Sequence, residues 1–455
     1  MSAVVSALAS NTWAAIGVAL AGFVALFGAL QIYARASETP PETTRKMFHA
    51  GSGVLTLAFP FLFHDAWPVF LLTGLSALLI AGVKFLPALR ARYGTVTNRV
   101  ERTTFGELYF PLSVALVFWL ARGSTPLLFV IPILMLTFAD ATSALVGNRY
   151  GMTRYYGASK SLEGSVAFTV VAFLCVLVPL LLWSSVGRAE LLLIATTLAL
   201  LVMLLEGSAW RGLDNLFIPV GGYFLLRAYL PLDAAALGPR LLITVTLVVL
   251  VLLAREKTTL EDDSLVAGAF LCYVAWALMG WRWLIGPLAI VIGYRWLSPS
   301  TPDNTRRIHD IPAVLAVWAP AIAWLALSRS RDDATLLFPY TVVFGAHLAM
   351  FGVSRLASQF PDKPIASLFW RAVATASLVV MAPYLLATRG ATSVVIAVLA
   401  AVCAIAAGAV TFVASEPDIR NAPRTARRWV SQAASAVIAS AAAWLIAVIV
   451  PRWWR

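Results

Sequence analysis

Charged residues are scarce in this chain. Asp, Glu, Lys and Arg make up 12% of its 455 residues, whereas hydrophobic residues make up 60%. A soluble domain usually carries about 25% charged residues, so the composition excludes an ordinary soluble enzyme. Apolar runs of about 20 residues, enough to cross a bilayer as a helix, recur from one end of the chain to the other. These runs are continuous and do not alternate with polar residues, so we predict an all-α, polytopic integral membrane protein.

Cysteine is also rare, and basic residues outnumber acidic ones. The three cysteines, Cys175, Cys272 and Cys403, lie inside apolar runs, where a free cysteine behaves as a small hydrophobe. We therefore expect neither a disulfide framework nor a cysteine metal site. The formal net charge of +12 comes from Lys and Arg scattered over short loops, which does not favour nucleic acid as a partner.

About sixteen membrane spans are predicted, each with boundaries uncertain by a few residues. Their centres fall near residues 23, 56, 76, 113, 135, 174, 198, 223, 247, 272, 290, 319, 345, 377, 402 and 440. The first run is too long for a signal-peptide core and follows no positive charge, so it is predicted to be a retained span. Most of the 34 Lys and Arg residues then fall in loops on one side, which the positive-inside rule assigns to the cytoplasm.

Polar residues divide the chain into two predicted membrane domains, 1–235 and 236–455. Four polar clusters lie in the first domain, on the side assigned to the cytoplasm. In the second domain, acidic residues such as Glu256, Asp263, Asp303 and Asp310 occupy loop positions. The second domain is therefore predicted to hold lipid or to be a degenerate module, without a second catalytic centre.

Asp140 is the most unusual residue of the first domain. It follows the apolar run LLFVIPILMLTF and opens the stretch DATSALVGNRYG, although a carboxylate costs roughly +2.5 to 3.5 kcal/mol at the bilayer centre. Gly147, Arg149, Gly151 and Lys160 follow it. Glycines let backbone N–H groups approach an anion, basic side chains neutralise phosphate, and a carboxylate can share Mg²⁺ with phosphates. The stretch indicates a phosphate and magnesium site; the alternative is a helix-packing aspartate before an ordinary basic loop.

Two further clusters precede Asp140 in sequence. In RKMFHAGSG, Arg45 and His49 are four residues apart and share a helix face, although a positive-inside anchor would look the same. In TTFGELYFPLS, Glu107 follows Thr104 by three residues, a spacing that also suits a helix capping box.

The last cluster joins two predicted spans in LEGSAWRGLDNLFIPVGG. Glu206 ends one span, and Asp214 and Asn215 begin the next, where an N-cap is the alternative interpretation. Four clusters on one face of the membrane favour a common site.

Taken in order, RKMFH, FGELYFP, DATSALVGNRYG, KSLEGS and EGSAWRGLDNLFIP resemble the polyprenol kinase family over about residues 40–230. The resemblance implies transfer of a phosphoryl group from a nucleoside triphosphate, usually CTP, to a membrane isoprenoid alcohol such as phytol, dolichol or a polyprenol. The active site would lie at the cytoplasmic face. Phosphoryl transfer depends mainly on positioning and charge neutralisation, which agrees with carboxylates, Mg²⁺ and basic residues.

The resemblance also implies roles for single residues. The predicted catalytic residues are Asp140, Lys160, Glu163 and Asp214, and the predicted Mg²⁺ ligands are Asp140 and Asp214. The predicted substrate- and nucleotide-binding residues belong to the same clusters and are Arg45, His49, Glu107, Gly147, Arg149, Gly151, Ser161, Gly164, Ser165, Glu206 and Asn215.

The second domain loosely resembles the membrane family that includes phytyl-phosphate kinase. It departs from that family because the stretch FGVSRLASQFPDKPIASL offers a single acidic residue, Asp362, where a carboxylate-rich signature is expected.

Two other functions remain open from the sequence. A cytidylyltransferase would use the same CTP and metal but attack the α-phosphate and release pyrophosphate. A lipid transporter would bury polar residues along a pathway near the midplane, whereas here they gather on one side.

Overall fold

A computed structural model describes residues 8–36, 41–86, 105–156, 160–297, 309–388, 394–416, 419–420 and 425–453. Across these ranges the chain is helical and contains no strand, only the isolated bridges Arg154–Ser161 and Leu260–His309. It separates into two compact units, Met1–Leu252 and Leu253–Arg455. The boundary between the units falls at residues 252–253, whereas the boundary predicted from the sequence lies at residues 235–236.

The first unit contains eleven α-helices within its described residues. They are α1 (Thr12–Ala36), α2 (Pro41–Thr56), α3 (Phe59–Leu62), α4 (Trp67–Phe85), α5 (Gly106–Ala121), α6 (Leu127–Leu134), α7 (Asp140–Tyr150), α8 (Leu162–Trp183), α9 (Arg188–Gly207), α10 (Asp214–Tyr229) and α11 (Ala234–Ala254). A π-helical segment, Met135–Ala139, joins α6 to α7 without a break.

The second unit contains seven α-helices in the part that the structure describes. They are α12 (Asp262–Met279), α13 (Ile285–Leu297), α14 (Ile311–Arg331), α15 (Leu337–Gln359), α16 (Ile365–Thr388), α17 (Val394–Ser415) and α18 (Ala426–Trp453). Helix α15 packs against α13, α14, α16, α17 and α18. It is almost completely enclosed, which makes it the centre of this unit's apolar core.

Twelve helices among the described residues are long and apolar enough to cross a membrane, so the chain is a multi-pass membrane protein. The predicted count of about sixteen is not confirmed. The four remaining centres, near residues 56, 113, 223 and 290, fall on α2 with α3, α5, α10 and α13, which have at most 16 residues each. Among these shorter helices, α5 is apolar as well.

The packing of the first unit brings its polar helix ends together. Helix α8 packs against α7 and α9, α10 packs against α5 and α9, and α2 packs against α1 and the π-helical segment. The beginning of α8, the end of α9 and the beginning of α10 therefore meet near α7 and α2. Every polar cluster singled out in the sequence lies on one of these elements.

Candidate functional site

Asp140 begins α7 and is buried, with 4% of its surface exposed. Its Oδ2 accepts a hydrogen bond from Nζ of Lys46 at 2.8 Å, and Nε2 of His49 lies 4.0 Å from the same oxygen. Lys46 and His49 come from α2, so the polar clusters RKMFHAGSG and DATSALVGNRYG form one centre. A buried carboxylate is tolerated when it is paired with a cation. This pairing explains how the chain can bury Asp140.

The π-helical segment directly before Asp140 sets the direction of its side chain. A π turn adds one residue to a helical turn, so it rotates everything that follows relative to α6. Pro132, three residues before the segment, cannot donate a backbone hydrogen bond and disturbs the preceding turn. Such turns frequently occur at functional sites, and Pro132 is the sequence signal that could have indicated this one.

A close helix contact holds α2 against the segment. A Cβ on Gly53 would lie 2.8 Å from Cγ2 of Thr137 and would also collide with its hydroxyl. Gly53 is seven residues, about two helical turns, beyond Lys46 and therefore on the same face of α2. This contact allows Lys46 to reach Asp140.

Lys160 forms the second ion pair of the site. Its Nζ lies 2.8 Å from Oε1 of Glu206 and also donates to the Glu206 carbonyl oxygen. Lys160 is held where residues 153–155 pair with residues 160–162, a pairing called the α7–α8 hairpin below. Within it, Tyr155 N donates to the Lys160 carbonyl at 2.9 Å. Burial lowers the pKa of Lys160, but the carboxylates of Glu206 and Asp214 more than offset it, with a smaller contribution from Asp140, and the pKa lies above its usual range. Lys160 is therefore a permanent cation.

The glycines of DATSALVGNRYG and KSLEGS bring α7 and α8 into close contact. A Cβ on Gly147 would lie 3.0 Å from Oγ of Ser161, and one on Gly164 would lie 2.9 Å from the Ser143 carbonyl oxygen. A Cβ on Gly151 would collide with the Gly147 carbonyl. Their lack of side chains is explained by this packing, whereas the predicted contact with phosphate stays a prediction.

Three polar residues of KSLEGS have intramolecular partners. Ser161 is the N-cap of α8 and accepts from Gly164 N at 3.1 Å. Glu163 accepts from Thr153 N at 3.0 Å, and Ser165 is buried against the Tyr155 hydroxyl at 3.0 Å. In this arrangement they shape the α7–α8 hairpin that positions Lys160, and their predicted catalytic or binding roles stay predictions.

The cluster LEGSAWRGLDNLFIPVGG is hydrogen-bonded to the beginning of α5. Asn215 is buried, and its Nδ2 donates to the Gly106 carbonyl oxygen at 2.8 Å. Leu213 is the N-cap of α10 and provides no side-chain cap, so Asp214 and Asn215 are not the N-cap. Asp214 is half-buried, and its charge acts on both Lys160 and His49, which places it in the same electrostatic cluster.

The remaining candidates are half-buried or exposed. Arg45 is half-buried and its charge acts on His49. Glu107 is half-buried in the first turn of α5, whose N-cap is Phe105, while Thr104 lies outside the described residues. Arg149 is exposed and stacks on Tyr150, so it is not brought to the buried ion pairs.

Several buried polar atoms of the site have no hydrogen-bond partner among the described residues. They are Nε2 of His49, Oε2 of Glu206, Oγ1 of Thr44 and Oγ of Ser52. A buried polar group without a partner costs about 1–3 kcal/mol, so their concentration here indicates a place for a polar ligand. The described residues contain no group of three His, Cys, Asp or Glu that could hold a metal.

An apolar groove of about 520 Å³ opens elsewhere on the first unit, between α2–α3, α6–α7 and α8. Its lining includes Phe138, Thr142 and Trp183. Thr142 is two residues beyond Asp140, which is about 200° around an α-helix. The groove therefore opens on the face of α7 that points away from the carboxylate.

Lys46 lies in the candidate site but is not among the residues predicted from the sequence. The predicted site residues of this cluster are its neighbours Arg45 and His49. The pairing of RKMFH with an intramembrane aspartate could have pointed to it, because a buried carboxylate needs a cation.

Comparison with known proteins identifies relatives of part of this chain. A stretch of 226 residues is 32% identical to phytol kinase of Synechocystis sp., covering 49% of this chain and 94% of that protein. A stretch of 117 residues is 34% identical to dolichol kinase of Saccharomyces cerevisiae, covering 24% of this chain and 22% of that protein. No family model and no solved structure matches. Since nearly the whole length of the phytol kinase is covered, the chain belongs to the polyprenol kinase family.

Proposed function

We propose that this chain transfers the γ-phosphoryl group of CTP to the hydroxyl of a membrane isoprenoid alcohol. The observation that carries the proposal is the convergence of two buried lysine–carboxylate pairs, Lys46–Asp140 and Lys160–Glu206. Phosphoryl transfer needs a group that takes the proton of the acceptor hydroxyl and cations that neutralise phosphate charge. Its relatives are kinases named for phytol and dolichol.

Asp140 is the best candidate to receive the alcohol proton. It is the buried carboxylate of α7, and Lys46 fixes its orientation by a hydrogen bond of 2.8 Å. A positioned carboxylate that accepts a proton in the transition state typically contributes about 10²–10⁴-fold to the rate. Lys160 is the candidate for the phosphates, since its charge persists at all physiological pH values and its hairpin lies at the end of α7.

The residues fit a magnesium ion that is shared with the nucleotide. Mg²⁺ is usually bound through one or two carboxylates together with phosphates and waters, so three protein ligands are not needed. Asp140 and Asp214 would hold it, and the unpartnered Oε2 of Glu206 is a further oxygen in the cluster. When bound, Mg²⁺ would neutralise charge on the phosphate oxygens.

We place the site at the cytoplasmic face. The support is the excess of Lys and Arg in the loops on that side and the cytosolic supply of CTP. The alcohol would remain in the bilayer and present its hydroxyl to Asp140.

The second unit is proposed to hold lipid without catalysing a second reaction. Two of its described acidic residues have structural partners: Asp262 accepts from Arg255 Nε at 2.8 Å, and Asp310 caps α14 by accepting from Ala313 N at 3.2 Å. Asp303 lies outside the described residues.

The proposal is tested with purified full-length protein in nanodiscs, CTP labelled at either the α- or the γ-phosphate, Mg²⁺ and a panel of prenols, with the corresponding prenyl phosphates assayed in parallel as acceptors. We expect γ-label in the lipid and α-label in released CDP. Incorporation of the α-label, with release of pyrophosphate, would show a cytidylyltransferase instead. Absence of both from every prenol would overturn the proposal.

A further inference from the structure

His49 and Asp140 face each other within the first unit, at a distance that a single oxygen atom can bridge. Nε2 of His49 lies 4.0 Å from Oδ2 of Asp140, and the two side chains are 14% and 6% exposed. That nitrogen is buried and has no hydrogen-bond partner among the described residues. At 4.0 Å the two atoms are too far apart to bond each other directly.

One oxygen atom can bridge this distance. Hydrogen bonds to oxygen are about 2.7–3.0 Å long, and a point about 2.8 Å from both atoms exists when they are 4.0 Å apart. Such an oxygen would accept from the imidazole N–H and donate its own proton to the carboxylate. An alcohol can do both, whereas an ionised phosphate oxygen has no proton to donate to the carboxylate.

Neighbouring groups support a polar ligand here. Ser52 lies three residues beyond His49 on the same face of α2, and its buried Oγ also has no partner within the described residues. The His49 ring is held by an edge contact with Phe110, with centroids 4.8 Å apart. The imidazole is therefore fixed in place while its Nε2 remains available.

We propose that His49 and Asp140 together bind the acceptor hydroxyl, so that His49 belongs to the alcohol and not to the nucleotide; this rests on the proposed function. The alcohol oxygen uses a lone pair to form the bond to the γ-phosphorus. The bond from that phosphorus to the bridging oxygen breaks, and CDP leaves with its electron pair. The alcohol proton passes to Asp140, while His49 donates a hydrogen bond throughout and neither gains nor loses a proton.

The test compares His49→Gln with His49→Leu in the full chain. A glutamine amide can reach the position of Nε2 and donate, whereas leucine fills the space beside Phe110 but cannot donate. We expect His49→Leu to lower kcat/KM for the alcohol about 10–100-fold, as expected for one lost hydrogen bond in a buried site. The KM for CTP should stay within about twofold, and His49→Gln should recover most of the loss.

Each of the other possible outcomes decides against either the role of His49 or the proposed function. If the histidine only packs, the order reverses, because leucine preserves the contact with Phe110 better than glutamine does. A rise in the KM for CTP in His49→Leu would assign His49 to the nucleotide and overturn the inference. If the unmodified protein transfers no γ-phosphoryl group to any prenol, the proposed function fails first. If it does and both variants match it, only the role of His49 is wrong.

Discussion

Nζ of Lys46 lies 2.8 Å from Oδ2 of Asp140, although the two residues are 94 positions apart in the sequence. This pair joins α2 to the beginning of α7 and turns an aspartate that would be costly in a bilayer into part of a polar centre. The second pair, Lys160 with Glu206, joins the α7–α8 hairpin to the end of α9. In both pairs the carboxylate is buried and the lysine is half-buried, so removing the lysine leaves an uncompensated buried charge.

Replacing Asp140 with Asn should abolish most activity without unfolding the protein. The amide keeps the shape of the side chain but cannot accept the alcohol proton or bind Mg²⁺ as a carboxylate does. We expect kcat to fall about 100-fold or more, while the yield of monodisperse protein is kept, because an amide is cheaper to bury than an anion. Turnover per folded molecule close to that of the unmodified protein would contradict the catalytic assignment.

Replacing Lys46 with Met should destabilise the first unit. It leaves the Asp140 carboxylate buried without its partner, which costs about 3–5 kcal/mol. Adding Asp140→Asn removes the stranded charge, so the double variant should unfold at a higher temperature than Lys46→Met alone. The exposed Lys257 provides the control, since Lys257→Met should change stability by no more than about 0.5 kcal/mol. Additive losses in the double variant would show that the two residues are not coupled.

Replacing Lys160 with Gln should raise the KM for CTP about tenfold or more, since one charge-assisted hydrogen bond is lost. The raised pKa of Lys160 means that its stabilising charge is fully present below its unfolded pKa and is lost only as the pH rises through the folded value. The ratio of KM values between variant and unmodified protein should therefore be constant from about pH 6 to 9. A ratio that falls toward one within that range would contradict a permanent cation at this position.

Replacing Gly164 with Ala should lower the thermal stability. The new Cβ would lie 2.9 Å from the Ser143 carbonyl oxygen, and backbone cannot move aside easily, so the cost is about 1–3 kcal/mol. Gly238 in α11 is the matched control, because nothing lies within 4 Å of its hypothetical Cβ. Gly238→Ala should be neutral or stabilise the helix by up to about 1 kcal/mol. Equal melting temperatures for the two variants would contradict the close packing of α7 and α8.

The loops after α7 and α9 should lie on the same side of the membrane. In a variant in which Cys175, Cys272 and Cys403 are replaced by Ala, single cysteines at Met152 and Trp210, both exposed, should react with an impermeant maleimide only after the cytoplasmic face is opened. Ser185, exposed beyond the far end of α8, should label from the outside. Labelling of Met152→Cys and Trp210→Cys from opposite sides would show that one site cannot contain both clusters.

Much of the candidate site could be predicted from the sequence because its residues are chemically out of place. Asp140, Glu206 and Lys160 are polar groups next to apolar runs, and burial without a partner is too costly to occur by chance. The structure places these residues close together, through the ion pairs and the charges that act on Lys160. The pairing of Lys46 with Asp140 is not among the predictions, since a lysine near a span end is more often a topology signal.

By itself the sequence determined the helical membrane class, the family resemblance and the set of polar clusters, since hydrophobicity and residue type are properties of local sequence. The tertiary structure decided which of those residues meet. It showed a π turn that aims Asp140 at Lys46, glycines used for contact between α7 and α8, and Glu163 bonded to the hairpin instead of the ion pairs. Those outcomes depend on helix rotation and on approaches of a few ångströms between segments far apart in the chain, and no local pattern contains them.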